Sequence, residues 1–284
     1  MSISKIGVVG AGTMGNGIAQ VAAQSGLQVV LVDIAQAYID KGLKNIIKNW
    51  DKDFTKGKIT EAQKTDFISN IITSADKLDL KECDLVVEVI IENIDIKKQL
   101  FKELNDICSP HTVIATNTSG FSITEIAAAS GRPDKVIGTH FFNPVPVMRL
   151  IEIIPGTETS RETVATAVEF CRIIGKTAIE AKEAPGFIVN RLLVPYLNDA
   201  AHAYQEGVAS VEAIDEAMKL GANMPIGPLA LCDLVGIDVL LMVTEYFYKE
   251  FGDPKFRPSL ALKQKVRAGH LGVKTGKGFY DYSK

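Results

Sequence analysis

The sequence predicts an α/β domain built on a largely parallel sheet, followed by a smaller all-α domain, and three observations carry this. Short apolar runs alternate with helix-length amphipathic segments from the N-terminus to about residue 180. A glycine-rich turn, Gly10-Ala11-Gly12-Thr13-Met14-Gly15, joins the first apolar run to the first helical segment. Past residue 183 the alternation stops and only helical segments follow. The pattern changes between Lys182 and Pro185, so the domains are placed at 1–182 and 183–284.

Taken in order, residues 3–9 are a short apolar run of the kind a buried parallel strand requires. After the glycine turn, Ile18, Val21, Ala22 and Leu27 mark a helix, and residues 28–32 are a second buried strand ending at Asp33. A helical segment runs to about Asp53, and another over 61–69 precedes a short strand at 71–73. Residues 84–91 read as a buried strand and 94–107 as a helix; 112–116 is a strand that ends in Asn117-Thr118-Ser119. A short helix at 123–129 leads to two strand-like runs, 135–142 and 148–154, either side of a proline-rich turn. Residues 161–174 form a helix with apolar Val164, Val168 and Ile174, and 177–180 a last strand. The helical part comprises 187–206, 211–220, 228–234, 237–251 and 259–268, with Gly207, Gly221, Gly252 and Gly269 placed to end four of them. Pro195 is expected to kink the first of these helices or displace its boundary.

The first strand, turn, helix, second strand and acid together form the dinucleotide fingerprint of the Rossmann-type fold in its full context. Gly10 permits the tight turn, Gly12 lets backbone N–H groups approach a pyrophosphate, and Gly15 lets helix and strand pack closely. The helix N-terminus favours the phosphate charge. Asp33, 18 residues after Gly15, is set to accept hydrogen bonds from the ribose hydroxyls. Ile34 follows it, with no arginine to pair with a 2′-phosphate, which favours NAD over NADP.

A 284-residue chain suggests about two domains. At 46% hydrophobic and 23% charged it has core material and no disorder signature. A net charge of −3 gives no field that favours nucleic acid, and no apolar run approaches the length of about 20 residues that spans a bilayer. The first strand begins almost at Met1, so no signal or transit peptide is expected. Cys83, Cys108, Cys171 and Cys232 are scattered without CxxC spacing, which suggests free thiols in a reducing cytoplasm. His111, His140, His202 and His270 are equally scattered, so no metal site is expected.

The stretch from Thr139 to Glu152 sets one imidazole and one carboxylate either side of its proline turn. His140 and Glu152 each lie six residues from Pro146, so antiparallel strands folded about that point place them opposite each other, on one face. A buried carboxylate fixes the histidine tautomer and favours the imidazolium, which suits a general base taking a proton from an alcohol. A structural hairpin with a hydrogen-bonded core histidine is the other reading of the same residues.

The segments GAGTMG, VEVIIEN, TNTSG, HFFNPVPVMRLIEI, PGFIVNRLL and KTGKGFY, spread from Gly10 to Tyr280, resemble the L-3-hydroxyacyl-CoA dehydrogenase family. Within it the chain looks most like the monofunctional bacterial branch, since no fused hydratase region follows the helical part. The resemblance implies NAD-dependent interconversion of (S)-3-hydroxyacyl-CoA and 3-ketoacyl-CoA, with a lean toward 3-hydroxybutanoyl-CoA and acetoacetyl-CoA. It also implies a homodimer, to which the apolar surplus of the helical domain is expected to contribute. Hydride transfer needs cofactor, substrate and His140 held together, which a cleft between the domains is expected to do while excluding water.

The resemblance carries over residue by residue. His140 matches the catalytic base and Glu152 its partner carboxylate. Ser119 matches a serine that contacts the reacting oxygen; a helix N-cap or turn serine is its plainer reading. Asn190 matches an amide that holds the substrate carbonyls, or is simply a polar residue near a helix start. Glu92, Lys97, Asn117 and Lys274 match cofactor contacts alongside the Gly10–Gly15 turn and Asp33. For Glu92 and Lys97 a solvated strand-end acid and an exposed helix lysine are the ordinary alternatives. A return of the KTGKGFY tail onto the first domain would explain its difference from a frayed terminus. Lys56 and Asn49 match coenzyme A contacts in a region of variable length. Lys56 closes a stripe of Lys44, Lys48 and Lys52 that would share a helix face and meet CoA phosphates, or be solvated and paired with Asp51, Asp53 and Glu61.

Two other readings compete. Related β-hydroxyacid dehydrogenases share the glycine turn and a helical second domain, but use a lysine as acid/base where this chain offers His140 and Glu152. A non-catalytic, crystallin-like NAD-binding protein is the second, and no matched catalytic position here is missing.

Overall fold

The alternating apolar runs of the N-terminal part assemble into one eight-stranded sheet. In the computed structural model, which describes residues 3–283, its elements are β1 (Lys5–Val9), α1 (Thr13–Gln24), β2 (Gln28–Val32), α2 (Gln36–Thr55), α3 (Glu61–Ser69) and β3 (Ile71–Ser74). They continue with β4 (Leu85–Glu88), α4 (Ile94–Ile107), β5 (Val113–Thr116), α5 (Ile123–Ser130), β6 (Val136–Phe141), β7 (Leu150–Pro155), α6 (Arg161–Ile173) and β8 (Thr177–Glu180). The spatial order is β3-β2-β1-β4-β5-β6-β7-β8. From β3 to β6 every pairing is parallel, β7 runs antiparallel to β6, and β8 is parallel to β7.

The strands are short and nearly all apolar because helices cover both faces. Ile6, Val8, Leu31, Val87, Ala115, Ile137 and Ile153 join Ile18, Ala22 and Phe170 in one core. Trp50 of α2 is fully buried and packs on Phe67 of α3, with ring centroids 5.7 Å apart.

Register decides where the chemistry falls. Val9 is level with Glu88, Glu88 with Thr116, and Thr116 with Gly138. The carboxyl ends of β1, β4, β5 and β6 therefore open at one edge of the sheet, the edge where ligands bind in such folds. β4 stops at Glu88 rather than continuing to residue 91, since the Glu88 carboxylate accepts the Ile90 N–H at 2.8 Å and turns the chain out of the ladder.

The first compact unit ends at Ala184 and the second begins at Pro185. Glu183 stays with the sheet because its carboxylate accepts from the Ser122 hydroxyl at 2.5 Å and the Thr124 N–H at 3.1 Å. The second unit holds α7 (Val189–Gln205), α8 (Val211–Gly221), α9 (Pro228–Val235), α10 (Ile237–Phe251) and α11 (Leu260–Arg267). Its own core includes Val194, Leu197, Leu229, Ile237, Leu240, Phe247 and Leu262. Helix α7 continues through Pro195 and starts later than residue 187, because Phe187 takes a left-handed φ of 51°. Gly221 is the last residue of α8, and the left-handed position that follows falls on Asn223 instead. Among the described residues no helix is long and apolar enough to cross a membrane.

Candidate active site

The glycine turn leaves β1 and enters α1 under tight constraint. Gly10 has φ +111°, and a Cβ there would lie 2.8 Å from the Val89 carbonyl oxygen. A Cβ on Gly15 would sit 1.7 Å from the Gly10 oxygen, so only glycine closes this turn. At Gly12, by contrast, a Cβ would meet nothing within 4 Å: Gly12 and Thr13 face open space at the start of the helix. The Gly12 cap has no side chain to satisfy the first N–H groups of α1, which leaves them to an anionic ligand. Asp33, at the end of β2, accepts the Ala11 N–H at 2.7 Å and the Ile34 N–H at 2.7 Å. A carboxylate fixed at the lip of an uncapped glycine turn fits a dinucleotide.

His140 and Glu152 are direct partners in the antiparallel β6–β7 ladder. His140 Nδ1 stands 2.6 Å from Glu152 Oε2; the glutamate is fully buried and the histidine 4% exposed. With Glu152 ionised, Nδ1 carries the proton and Nε2 the lone pair. The Phe142 ring packs edge-on against the imidazole, centroids 4.6 Å apart. The connecting loop contains a cis Asn143–Pro144 bond. It is pinned from one side by Lys176, whose ammonium donates to the Val145 and Met148 carbonyls at 2.5 and 2.7 Å. Burial holds that ammonium below the usual lysine pKa. From the other side, Val145 is buried against Gly17 of α1.

The turn after β5 ties this hairpin to the rest of the edge. Asn117 Oδ1 accepts the Phe141 N–H at 2.8 Å, next to His140, and the Asn117 N–H donates to the Glu88 carbonyl at 2.9 Å. Ser119 is exposed, its N–H donating to Glu92 at 3.0 Å. It is not a helix cap: Ser122 fills that role for α5, accepting from the Glu125 N–H.

Lys97 is not the exposed helix lysine that its sequence context suggests. It is 1% exposed, with its ammonium 2.6 Å from Glu88 and 3.2 Å from Glu92. Glu92 also accepts from the Thr118 hydroxyl. Glu88 is the residue that sequence reasoning passed over. The signal was available, since it is the single charge inside the apolar run from Leu85 to Ile91.

The remaining residues lie on α2, just after it, or in the helical unit. Asn49 donates to Gln20 of α1 at 2.9 Å. Lys44, Lys48, Lys52 and Lys56 are all exposed, Lys56 being the residue just after α2. Asp51 pairs with Lys64 and Asp53 with Lys58, so neither acid neutralises the stripe in the way its sequence position suggests. An open hollow of about 470 Å³ along α2 is lined by Asp40, Leu43, Lys44, Ile47, Lys48 and Asp51. Asn190 is half-buried in the first turn of α7. Lys274 is ion-paired with Asp238 at 2.6 Å.

The tail that carries Lys274 is anchored within the helical unit, and this anchoring accounts for the residues of its motif. Asp233 of α9 accepts the Phe279 and Tyr280 N–H groups at 2.8 and 2.9 Å, and the Tyr282 hydroxyl at 3.1 Å. Asp215 of α8 accepts the Tyr280 hydroxyl at 2.8 Å. Gly278 is required there because a Cβ would stand 2.0 Å from Asp233 Oδ1.

A dinucleotide turn and an acid-backed imidazole at the same edge of a mostly parallel sheet define the class of nicotinamide-dependent dehydrogenases. Residues 5–184 match the family described as 3-hydroxyacyl-CoA dehydrogenase, NAD binding domain, and residues 186–282 its C-terminal domain. The chain belongs to the 3-hydroxyacyl-CoA dehydrogenase family. A 3-hydroxybutyryl-CoA dehydrogenase of Clostridioides difficile is 50% identical over 280 residues, covering 99% of this chain and 100% of that one. The mitochondrial hydroxyacyl-coenzyme A dehydrogenase of Sus scrofa is 43% identical, covering 99% of this chain and 91% of its own. The crystal structure of an (S)-3-hydroxybutyryl-CoA dehydrogenase from Ralstonia eutropha superposes with a TM-score of 0.97 at 49% identity, covering 100% of both chains.

Proposed function

We propose that this protein interconverts (S)-3-hydroxybutanoyl-CoA and acetoacetyl-CoA, using NAD, with His140 as the proton-transfer group. The buried His140–Glu152 pair at the sheet edge is the observation that carries the reading. NAD supplies the hydride acceptor when bound.

In the oxidative direction, His140 takes the 3-hydroxyl proton at Nε2 as the carbonyl forms at C3. Glu152 holds the ring in the required tautomer and balances the imidazolium that results. In reduction, the same nitrogen returns the proton to the oxygen. Ser119 donates its hydroxyl to the reacting oxygen, and Asn190 holds the thioester side of the substrate as a fixed donor. The Gly10, Ala11, Gly12, Thr13, Met14 and Gly15 turn receives the pyrophosphate, and Asp33 the adenosine ribose. Glu92, Asn117 and Lys274 serve the cofactor, Glu92 at the second ribose, and Lys97, 1% exposed, serves it by holding Glu92. Asp33 would repel a 2′-phosphate, and Ile34 beside it, 88% exposed, offers no countercharge, which favours NAD over NADP. Lys56 and Asn49 are assigned to coenzyme A.

A homodimer is part of this reading. Leu192, Leu220, Leu234, Met242 and Leu260 of the helical unit are each more than half exposed, apolar side chains that association with a second copy would cover. A cytoplasmic setting accords with four free cysteines, all buried.

A spectrophotometric assay of acetoacetyl-CoA reduction, run separately with NADH and NADPH, tests the proposal. Turnover with NADH and little with NADPH is expected. No oxidation of either cofactor in the presence of acetoacetyl-CoA would remove it.

A further inference from the structure

Among the buried ionisable groups, Glu88 has no part in the chemistry proposed above, yet it sits at the level of the reacting edge. Its carboxylate is fully buried and accepts from Lys97 Nζ at 2.6 Å, the Thr116 hydroxyl at 2.7 Å and the Ile90 N–H at 2.8 Å. Its carbonyl accepts the Asn117 N–H at 2.9 Å. Core packing alone does not call for this arrangement, because a well-packed apolar pair commonly stabilises a fold as well as a buried ion pair does. What the ion pair adds is direction.

Lys97 is shared. One carboxylate on it, Glu88, is locked in the core; the other, Glu92 at 3.2 Å, reaches the surface with a side chain 38% exposed. Glu92 in turn accepts from the Thr118 hydroxyl and, at 3.0 Å, from the Ser119 N–H. The Thr118 hydroxyl oxygen also accepts the Phe121 N–H at 3.0 Å, so the whole turn after β5 is strung on these groups. On the other side Asn117 holds Phe141, the residue after His140.

We infer that Glu88 is a positioning residue: through Lys97 it fixes the Glu92 carboxylate, and through Thr116 and its own carbonyl it fixes the Asn117–Ser119 turn. The result is a set distance between the Ser119 hydroxyl and the His140 ring. This rests on the function proposed above, in which both groups meet the same substrate oxygen. Misplacing such a group by about 1 Å costs rate out of proportion to the stability involved.

Two variants test it. Glu88→Gln keeps the shape and removes the charge that holds Lys97. Because a half-removed buried pair can unfold a protein, E88L/K97M replaces both partners with apolar side chains of similar volume. Three readouts are taken: thermal melting, amide hydrogen exchange of residues 117–121 in the ligand-free protein, and kcat for acetoacetyl-CoA reduction with NADH. The double variant is expected to stay folded but melt below the wild type, since the Thr116 hydroxyl and the Ile90 N–H lose their acceptor, to lose exchange protection across 117–121 and to lose about ten-fold or more in kcat. Glu88→Gln, where it folds, shows the same two losses.

A folded variant with wild-type kcat overturns the inference, as does a loss of kcat with unchanged protection at 117–121. Failure of the functional reading looks different, since the wild type itself would then leave acetoacetyl-CoA unreduced while the exchange comparison still reports on the turn.

Discussion

Gly17 of α1 and Val145 of the loop between β6 and β7 touch so closely that a Cβ on the glycine would stand 2.8 Å from the valine Cβ. The helix that begins at the dinucleotide turn and the hairpin that carries His140 are thus packed directly on each other. Val145 is 2% exposed and the contact atom is a branched Cβ, which cannot swing aside.

Gly17→Ala follows from this. Alanine gains about 1 kcal/mol over glycine inside a helix, whereas an extra methyl in a closed contact costs about 1–3 kcal/mol. The overpacking wins, and it acts on the loop. We expect a small loss of stability in urea unfolding and a larger loss of kcat, with NADH affinity little changed. A variant more stable than wild type with full kcat would show that the loop is not held there.

Asp33→Ala removes the carboxylate that accepts from Ala11 and, in the proposed complex, from the adenosine ribose. Charge-assisted bonds of this kind contribute about 1.5–3 kcal/mol, so the Kd for NADH should rise about ten-fold or more. Fluorescence titration of NADH measures it directly. Equal losses for NADH and for acetoacetyl-CoA would contradict the ribose role.

Asp233→Ala should unfold the tail rather than the sheet. Three donors, the Phe279 and Tyr280 N–H groups and the Tyr282 hydroxyl, lose their acceptor. Only the Phe279 N–H among them is fully buried, and a buried donor left unpaired costs about 1–3 kcal/mol, so the helical unit should lose a few kcal/mol. Limited proteolysis should cut first near the C-terminus. An unaltered cleavage pattern would mean the tail is held by other contacts.

The four cysteines should be chemically quiet. Burial pushes the Cys83 and Cys171 thiols up to about 12 and the Cys108 thiol up to about 11, and raises that of Cys232 as well. In the unfolded chain these groups ionise near 9.0. Above that pH the native state holds more protons than the unfolded state, so stability falls as pH rises toward 11. At pH 8 an aromatic disulfide reagent should react slowly with native protein and with all four thiols in denaturant. Rapid modification of the native protein would show that these sites open readily.

What the sequence revealed and what it hid divide along physical lines. The glycine turn and Asp33 were legible because a local backbone geometry demands particular residues at fixed spacing. The register of His140 against Glu152 was legible because an even separation about Pro146 leaves one way to fold the hairpin. Glu88 was visible only as a lone charge in an apolar run; its role was hidden because its partners come from three other places in the chain, Lys97 on α4, Thr116 on β5 and Asn117 beyond it. The KTGKGFY segment was recognisable as a motif, but its reason lay in Asp215 and Asp233, acids on two helices that only the fold brings to it. Likewise Asn49 finds Gln20 through helix packing that no spacing reports.

The central claim is that His140 exchanges the substrate proton while Glu152 holds it in place, and the His140→Ala variant tests this most directly. Acetoacetyl-CoA reduction is followed at saturating NADH, with NADH binding measured on the same preparation. Turnover should fall by about 100-fold or more, the usual worth of a positioned acid–base group, with NADH binding nearly intact. A His140→Ala protein that turns over at the wild-type rate would contradict the account.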